Sequence, residues 1–365
     1  MITLEQAVEM ALGYDARMNK YAEYENSFEI RWDAGVEMIG PQPYIIMKET
    51  GERVAFPAAL IEGYERGELI REGDIPESMR PVFFTLRDAV YGAAVGDALG
   101  VPYEFQGRDS FECTGMVSGG AHGQPVGTFS DDTSMMLATC DSIRARGRID
   151  VRDMRKRFGS WLREGAYTPD GNVFDVGNTV ATALSEGRGC EGVRSNGNGS
   201  LMRIAPLVYM GIDDDEVRAV SAITHAHRIS TESCVCFVKL IRNLIGGNPF
   251  ELSLEYSIPE GEEFAFLEDV ASWQREEVQS GGYVLDTLGA AIWCFANTDS
   301  YADCVLTAVN LGRDTDTTAC VAGALAGAVY GYHAIPKEWL EALRGKDVIE
   351  QCLFPGFEKV RSWPE

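Results

Sequence analysis

Two short runs of carboxylates and hydroxyls stand far apart in this chain, and each of them opens a segment with a helical pattern. They are Ser130-Asp131-Asp132-Thr133 and Arg313-Asp314-Thr315-Asp316-Thr317-Thr318. Hard divalent cations such as Mg²⁺ take oxygen ligands, and each run supplies several of them within a small radius. Ser and Asp in a first helical turn also cap a helix, because they bind its free amides and oppose its dipole. We predict that the two runs meet in space and form one divalent-metal site.

The second run offers more polar groups than a helix cap needs. It is followed by residues 319–330, which are small and apolar and predict a central, buried helix. Buried carboxylates need a partner, and a cation would serve for Asp314 and Asp316. Arg313 is a competing partner, so this run by itself leaves metal binding and capping open.

Three other stretches carry candidate functional groups. Asp97 lies in a small, apolar helical pattern where an acid is out of place, and Glu104 follows a Gly-Val-Pro break; either one also suits a surface acid. Gly197-Asn198-Gly199-Ser200 stands ahead of a predicted helix and has the pattern of an anion-binding turn, although most such turns bind nothing. His225 and His227 have no cysteine or third histidine near them, so we reject a zinc site and expect one histidine to line a pocket.

From residue 85 onward the pattern is helical and rich in Gly and Ala, with few credible strands. The predicted helices are 86–99, 131–146, 150–164, 178–186, 215–225, 230–245, 284–296, 303–311, 318–332 and 340–343. Long polar connections at 118–128, 168–177 and 187–200 separate some of these helices. We expect functional residues in those connections, because long irregular segments in a compact helical domain commonly carry function.

The first 82 residues differ from the rest in pattern. A helical start leads into an aromatic and acidic stretch at 21–32, and a turn at 48–52 joins two strand candidates, 44–47 and 54–56, into a hairpin. Residues 72–77 read as a linker. We therefore predict a small α+β accessory module over 1–82 and a helical catalytic domain over 83–365.

Composition limits the class of protein. A net charge of −24 argues against binding to nucleic acid or to anionic membranes by bulk attraction. The nine cysteines include no CxxC pair and lie partly in helical, apolar surroundings, as in a reduced cytoplasmic protein. The N-terminus lacks the basic start and apolar run of a signal peptide, and no segment is long and apolar enough to span a bilayer.

Six segments together resemble the ADP-ribosylglycohydrolase family. They stand here as GAAVGDALGVPYEF, GTFSDDTSMML, DVGNTV, NGNGSLMRIAPL, THAHRIS and VNLGRDTDTTACVAGALAGAVYG. They occur in the family's order and span about residues 85 to 342. Each segment alone is a weak signal, but the ordered set is highly specific.

The resemblance implies an all-α fold with a binuclear Mg²⁺ or Mn²⁺ centre at the base of a cleft. The implied metal ligands are Ser130, Asp131, Asp132, Asp314, Asp316 and Thr317, with Asp316 as the bridge. The implied substrate-binding residues are Asp97, Gly197, Asn198, Gly199, Ser200 and His225, of which the Gly-Ser turn matches a diphosphate loop. Glu104 matches an acid near the substrate entrance, and Arg313 stands where many relatives have Gly.

The reaction implied by the resemblance is hydrolysis at the anomeric carbon of ADP-ribose attached to a side chain of a modified protein. Two metal ions would bind the ribose hydroxyls and lower the pKa of a shared water, and Asp131 or Asp132 would remove its proton. The transition state would have oxocarbenium character, as in other glycoside cleavages. Glu104 is the third catalytic candidate.

Other functions stay open on the sequence alone. The same site could hydrolyse poly(ADP-ribose), O-acetyl-ADP-ribose or ADP-ribosylated nucleic acid, because the acceptor would contact variable loops. A silent ADP-ribose-binding, structural or immunity protein is a further alternative, although the intact acidic and hydroxyl sets argue against it. Residues 1–82 lie outside the resemblance, and their hairpin is faintly similar to small domains of bacterial toxin-immunity proteins. We interpret this module first as an accessory domain that packs on or covers part of the catalytic body. A sharper hypothesis is that it recognises the modified protein or a toxin.

Overall fold

The computed structural model describes residues 1–14, 18–31, 43–54, 67–75, 83–356 and 359–360. The chain divides into two compact units. One comprises Met1–Phe83 with Val360–Glu365, and the other comprises Phe84–Lys359. The residues with candidate chemistry all lie in the second unit.

The first unit has one helix and a five-stranded antiparallel sheet. Its elements are α1 (Leu4–Tyr14), β1 (Lys20–Tyr24), β2 (Ser27–Arg31), β3 (Tyr44–Met47), β4 (Arg53–Val54) and β5 (Leu69–Asp74). The strand order is β4-β3-β2-β1-β5. Alternate residues of β2, Phe28 and Ile30, are buried against α1 and β3, which is the pattern of a sheet with one face on a core.

The sequence located this module's hairpin but misassigned its flanks. The pairing of β3 with β4 confirms the hairpin, although β4 begins at Arg53, and residues 55 and 56 of the predicted strand lie outside the described residues. The aromatic and acidic stretch holds β1 and β2. The predicted linker is wrong at 72–74, because these residues complete β5 and pair with β1; residues 76 and 77 lie outside the described residues.

The second unit is helical, which confirms that part of the sequence prediction. Its helices are α2 (Leu86–Gly100), α3 (Asp131–Arg146), α4 (Val151–Glu164), α5 (Asn178–Glu186), α6 (Asp214–Ser221), α7 (Arg228–Ile245), α8 (Phe250–Glu255), α9 (Val284–Ala296), α10 (Tyr301–Val309), α11 (Thr315–Tyr330), α12 (Lys337–Ala342) and α13 (Lys346–Cys352). Two short strands, β6 (Phe83–Phe84) and β7 (Lys359–Val360), pair with each other. Among the described helices, none is long and apolar enough to cross a membrane.

Helices α2 and α11 form the centre of this unit. Every residue of α11 from Thr315 to Ala328 is buried, as its apolar sequence predicted. Glycines on one face of α2 let the two backbones touch: a Cβ on Gly96 would lie 2.0 Å from the Ala319 carbonyl oxygen, and one on Gly100 would lie 2.3 Å from the Asp316 Cα. This close approach fixes the position of Asp316 along the axis of α2.

Two helix boundaries and two short helices differ from the prediction for identifiable reasons. Helix α11 begins at Thr315 instead of residue 318, so Asp316 and Thr317 belong to its first turn. Helix α6 ends at Ser221, because the chain leaves the helix to pair Thr224 and Ala226 with Cys190. The sequence analysis missed α8 and α13, which are only 6 and 7 residues long and too short for a clear periodicity.

Candidate metal centre and substrate cleft

The two carboxylate-rich turns lie together at the N-terminal ends of α3 and α11. The Thr317 hydroxyl donates to Asp132 Oδ2 across 3.4 Å, and the Ser130 hydroxyl donates to the same oxygen across 3.0 Å. Ser130 Oγ also accepts from the Asp132 amide, so it caps α3 and faces the cluster at once. Capping and metal binding are therefore compatible at this residue.

Two carboxylate oxygens in this cluster have no hydrogen-bond partner. They are Asp132 Oδ1 and Asp316 Oδ2, both buried and without a donor among the residues that the structure describes. The carboxylates of Asp97, Asp132 and Asp316 approach within 4.8 Å of one another, and so do those of Glu104, Asp314 and Asp316. Buried oxygens left unmatched and crowded by like charge fit a hard divalent cation, which takes oxygen ligands.

Asp314 is not a helix cap. No side-chain cap hydrogen bond forms at its position before α11, and its Oδ2 accepts a 2.9 Å hydrogen bond from the Asn198 amide. Arg313, the competing partner, adopts a left-handed backbone conformation with φ of 67° and donates to Gln279 instead. The carboxylate of Asp314 is thus positioned by a neutral amide, and its charge stays available.

A cleft of about 530 Å³ opens above the cluster. Among the predicted residues, Glu104, Asp131, Gly197, Asn198, Gly199, His225, Asp314 and Thr317 line it. Asp132 and Asp316 are fully buried beneath this surface. The volume suits a ligand of the size of a dinucleotide fragment.

The glycine turn forms one wall of the cleft and is held from behind. Arg203 is fully buried and donates to the Gly199 carbonyl at 2.8 Å and to the Thr224 hydroxyl at 3.1 Å. A Cβ on Gly199 would lie 2.9 Å from His225 Cε1, so this position admits no side chain. The helix that the sequence analysis expected after the turn is a short 3₁₀ helix, Ala205–Tyr209.

Comparison with known proteins identifies the family. The family model for ADP-ribosylglycohydrolase matches residues 83–361. The chain belongs to the ADP-ribosylglycohydrolase family. It is 35% identical over 275 residues to ADP-ribosylarginine hydrolase Tri1 of Serratia proteamaculans (strain 568), covering 70% of this chain and 74% of that protein. It is 32% identical over 274 residues to the ADP-ribosyl-[dinitrogen reductase] glycohydrolase of Rhodospirillum rubrum, covering 70% and 88%.

A solved structure agrees with these sequence matches. An ADP-ribosylglycohydrolase-related protein complex aligns with a TM-score of 0.61 and 32% identity, over 73% of this chain and 94% of that one. This protein is therefore an ADP-ribosylglycohydrolase, a hydrolase that removes ADP-ribose, and the resemblance read from six segments is confirmed.

Two predicted substrate-binding residues of this glycohydrolase do not reach the cleft. Asp97 is fully buried and accepts hydrogen bonds from the Ser130 amide and from the Thr133 amide and hydroxyl, so it anchors the start of α3. Ser200 is also fully buried, and its hydroxyl accepts a hydrogen bond from Ser221. Both side chains therefore support the site from beneath, and their contact with substrate stays a prediction.

Two other predicted substrate-binding residues, Asn198 and His225, have hydrogen-bond partners within the protein. Asn198 donates to both Thr287 and Asp314, so its side chain positions a carboxylate. His225 Nδ1 lies 2.8 Å from the Thr224 hydroxyl, and burial, with Arg203 nearby, lowers its pKa to about 3. The His225 ring is therefore neutral at neutral pH, and the Thr224 hydroxyl holds its Nδ1.

The structure adds residues that the sequence analysis missed. His122 Nε2 lies 2.5 Å from Glu104 Oε2, and Asp175 lies within 4.8 Å of both groups. Tyr283 lines the cleft and is 40% exposed. The carbonyl oxygen of its neighbour Gly282 accepts a hydrogen bond from the backbone amide of Asn198. Asp175 belongs to the quoted DVGNTV segment, but nothing in the local sequence around His122 pairs it with Glu104.

The carboxylates raise each other's pKa values. Burial raises the pKa of Glu104 to about 9, assisted by Asp175 and Asp314. Burial and neighbouring acids hold the pKa values of Asp131, Asp132 and Asp316 well above the usual range. Buried carboxyl groups crowded in this way favour binding of a cation, because a cation would offset the cost of ionising them.

Proposed function

We propose that this glycohydrolase is metal-dependent and removes ADP-ribose from arginine side chains of a modified protein. The observation that carries the metal dependence is the pair of unmatched oxygens, Asp132 Oδ1 and Asp316 Oδ2, at the base of the cleft. The proposed acceptor comes from the names of relatives, two of which are ADP-ribosylarginine hydrolases that are 35% and 31% identical.

Six residues would hold two Mg²⁺ or Mn²⁺ ions. They are Ser130, Asp131, Asp132, Asp314, Asp316 and Thr317. When bound there, the ions would polarise ribose hydroxyls and acidify a water molecule. The carboxylates supply the hard oxygen ligands that both ions prefer.

The chain's own residues would then carry the proton transfers. Asp131 lines the cleft whereas Asp132 lies beneath it, so we assign Asp131 as the base that removes a proton from the attacking water. The new bond forms from water oxygen to the anomeric carbon as the bond to the guanidine nitrogen breaks. Glu104, with its raised pKa, holds a proton at neutral pH and supplies it to the departing guanidine. The acidic cleft stabilises the positive charge of the oxocarbenium-like transition state.

Other parts of the cleft suit the rest of ADP-ribose. Gly197 and Gly199, and the residues at the start of α5 after Gly177, line the same cavity. Within the described residues no side chain caps α5, so its first amides remain available to a diphosphate. The exposed ring of Tyr283 offers a flat surface on which the adenine could stack.

The experiment that tests this function is release of free ADP-ribose from arginine-, serine- and nucleic-acid-linked substrates, with Mg²⁺, with Mn²⁺ and with a chelator. We expect metal-dependent release from the arginine-linked substrate, and loss of turnover in Asp131→Asn with metal binding still measurable by calorimetry. Equal release in chelator would refute the metal dependence, and release from serine or nucleic acid alone would refute the acceptor.

The α+β module would recognise the modified protein or a toxin. Its edge strand β5 exposes Leu69 and Ile70, with 51% and 56% of their surfaces accessible. Among the described strands, none pairs with the outer edge of β5. A strand edge with apolar side chains is a surface that another chain can pair with. In the full chain, Leu69→Ser/Ile70→Ser should weaken turnover of modified protein and spare free ADP-ribosylarginine. An equal effect on both substrates would reject this role.

A further inference from the structure

A groove of about 740 Å³ lies between α8 and the 3₁₀ segment Glu262–Glu268, outside the catalytic cleft. Its apolar floor includes Phe250, Leu254 and Ile258. Glutamates form its rim, and these are Glu251, Glu255, Glu260 and Glu268. The groove thus combines an apolar base with a border of one charge sign.

The four rim carboxylates are free. All are exposed, and within the described part of the chain none of their side chains forms an ion pair or a hydrogen bond. Neighbouring acids are engaged: Glu263 pairs with Arg228, and Glu277 accepts a hydrogen bond from the Gln274 amide. No basic side chain lines the groove among the described residues. The rim charges therefore remain available to a partner.

The local sequence has the same bias. Between residues 249 and 283 every charged residue is acidic except Arg275, and that guanidinium contacts Asp109 and the Asn310 carbonyl. Surface charge alone does not require that the acidic residues border a common apolar groove, whereas binding of a partner does. Leu252, on α8, and Tyr256, directly after it, add exposed apolar side chains that are 40% and 59% accessible.

One end of the groove is tied to the rim of the catalytic cleft. Arg228, at the start of α7, donates to the Glu260 carbonyl and to Glu263. This arginine follows shortly after His225, which lines the cleft. The pKa of Tyr283, another cleft residue, is raised by burial and then by Asp286 and Glu263. A polypeptide bound with its modified residue in the cleft can therefore extend over this groove.

We propose that the groove binds a basic segment adjacent to the modified residue of the ADP-ribosylated protein. This inference rests on the proposed function for the identity of the substrate. The aliphatic stems of lysine or arginine would lie on the apolar floor while their charged ends pair with the rim carboxylates. Acidic segments and nucleic acids would be repelled by the same rim.

The test compares three substrates in the full-length protein. They are free ADP-ribosylarginine, a peptide with one ADP-ribosylarginine between lysines, and the same peptide with glutamines in place of the lysines. For Glu255→Gln/Glu268→Gln we expect KM for the lysine peptide to rise about threefold to tenfold, the range that loss of two exposed ion pairs gives. Its kcat and both other KM values should be unchanged, and added salt should reduce the difference between variant and wild type.

A matched control separates the groove from bulk charge. Glu338→Gln/Glu341→Gln removes two exposed carboxylates from α12 and should leave every KM unchanged. An equal rise in KM in this control, or no rise in Glu255→Gln/Glu268→Gln, overturns the proposal. If the wild type hydrolyses none of the substrates, the proposed function fails. The groove is then tested by anisotropy with the unmodified, fluorescent lysine peptide, for which equal affinity of wild type and variant overturns it.

Discussion

Replacing Asp316 with asparagine should stabilise the metal-free protein and abolish its activity. Asp316 is fully buried, and its Oδ2 has no partner among the described residues. Burial, followed by the charges of Asp132, Glu104 and Asp314, raises its pKa well above the usual range. A carboxyl group whose pKa is higher in the folded state than in the unfolded state destabilises the fold once pH exceeds the unfolded-state pKa. This loss of stability is therefore present at neutral pH. Asparagine keeps the shape and removes the charge.

The size of the effect follows from the cost of a buried polar group without a partner. Relief of that cost should contribute about 1–3 kcal/mol in chelator, which corresponds to about 2–5 °C in Tm for a domain of this size. Added Mn²⁺ should stabilise the wild type by about 2.7 kcal/mol at a free concentration 100 times Kd. The variant should lose most of this gain together with turnover.

Thermal unfolding at pH 7, in chelator and in Mn²⁺, measures both effects. Asp97→Asn is the matched control, because Asp97 is equally buried but all of its hydrogen bonds are made to Ser130 and Thr133. An amide nitrogen cannot accept those bonds, so this variant should lose about 1–3 kcal/mol in either condition. A lower Tm for Asp316→Asn in chelator, with the Mn²⁺ response intact, would refute the assignment of Asp316 as a metal ligand.

Three further predictions concern helix packing, a pair of side chains in the cleft and a buried carboxylate of α4. Gly96→Ala should lower the unfolding free energy by about 1–3 kcal/mol or more, because its Cβ would meet the Ala319 carbonyl at 2.0 Å, whereas Gly107→Ala, with open space, should not; denaturant unfolding checks this, and equal stability of both variants would contradict the packing argument. His122→Ala should reduce kcat/KM about tenfold to a hundredfold at unchanged Tm, because Glu104 loses the partner that orients it; full activity would show that the pair is incidental. Burial alone would raise the pKa of Asp153, but hydrogen bonds from Arg157, Arg146 and Ser142 outweigh burial and lower it. Asp153→Asn should therefore cost about 1.5–3 kcal/mol at pH 7, and the difference should shrink as pH falls below about 4, as measured by urea titrations; a constant difference would exclude the ionised carboxylate as the cause.

The sequence indicated the candidate ligands because their chemistry is local. In Ser130-Asp131-Asp132 and in the run from Asp314 to Thr317, oxygen donors outnumber what a helix start requires. The apolar segment after the second run indicated burial, and α11 is buried as expected. Helical periodicity together with this local excess of donors was therefore enough to nominate the cluster and its helices.

Support from a distance was not visible in the same way. Asp97 serves α3 from α2, and Ser200 serves the core through Ser221, so their roles depend on helix packing rather than on neighbouring residues. His122 meets Glu104 only because a long connection folds back over the cleft entrance. Short helices such as α8 were missed because six residues do not complete two turns.

The two helix starts show how the fold separates capping from charge. At α3 the hydroxyl of Ser130 satisfies the free amide of Asp132, and Asp97 binds the Ser130 amide, so the carboxylate of Asp132 keeps one oxygen unused. At α11 no side chain caps, and the backbone contact of Gly100 with Asp316 sets the helix start instead. At α3 a candidate ligand, Ser130, thus fixes the helix start together with Asp97, whereas at α11 the close approach of α2 does so. The small residues of α2 are therefore as necessary to the candidate metal centre as the carboxylates themselves.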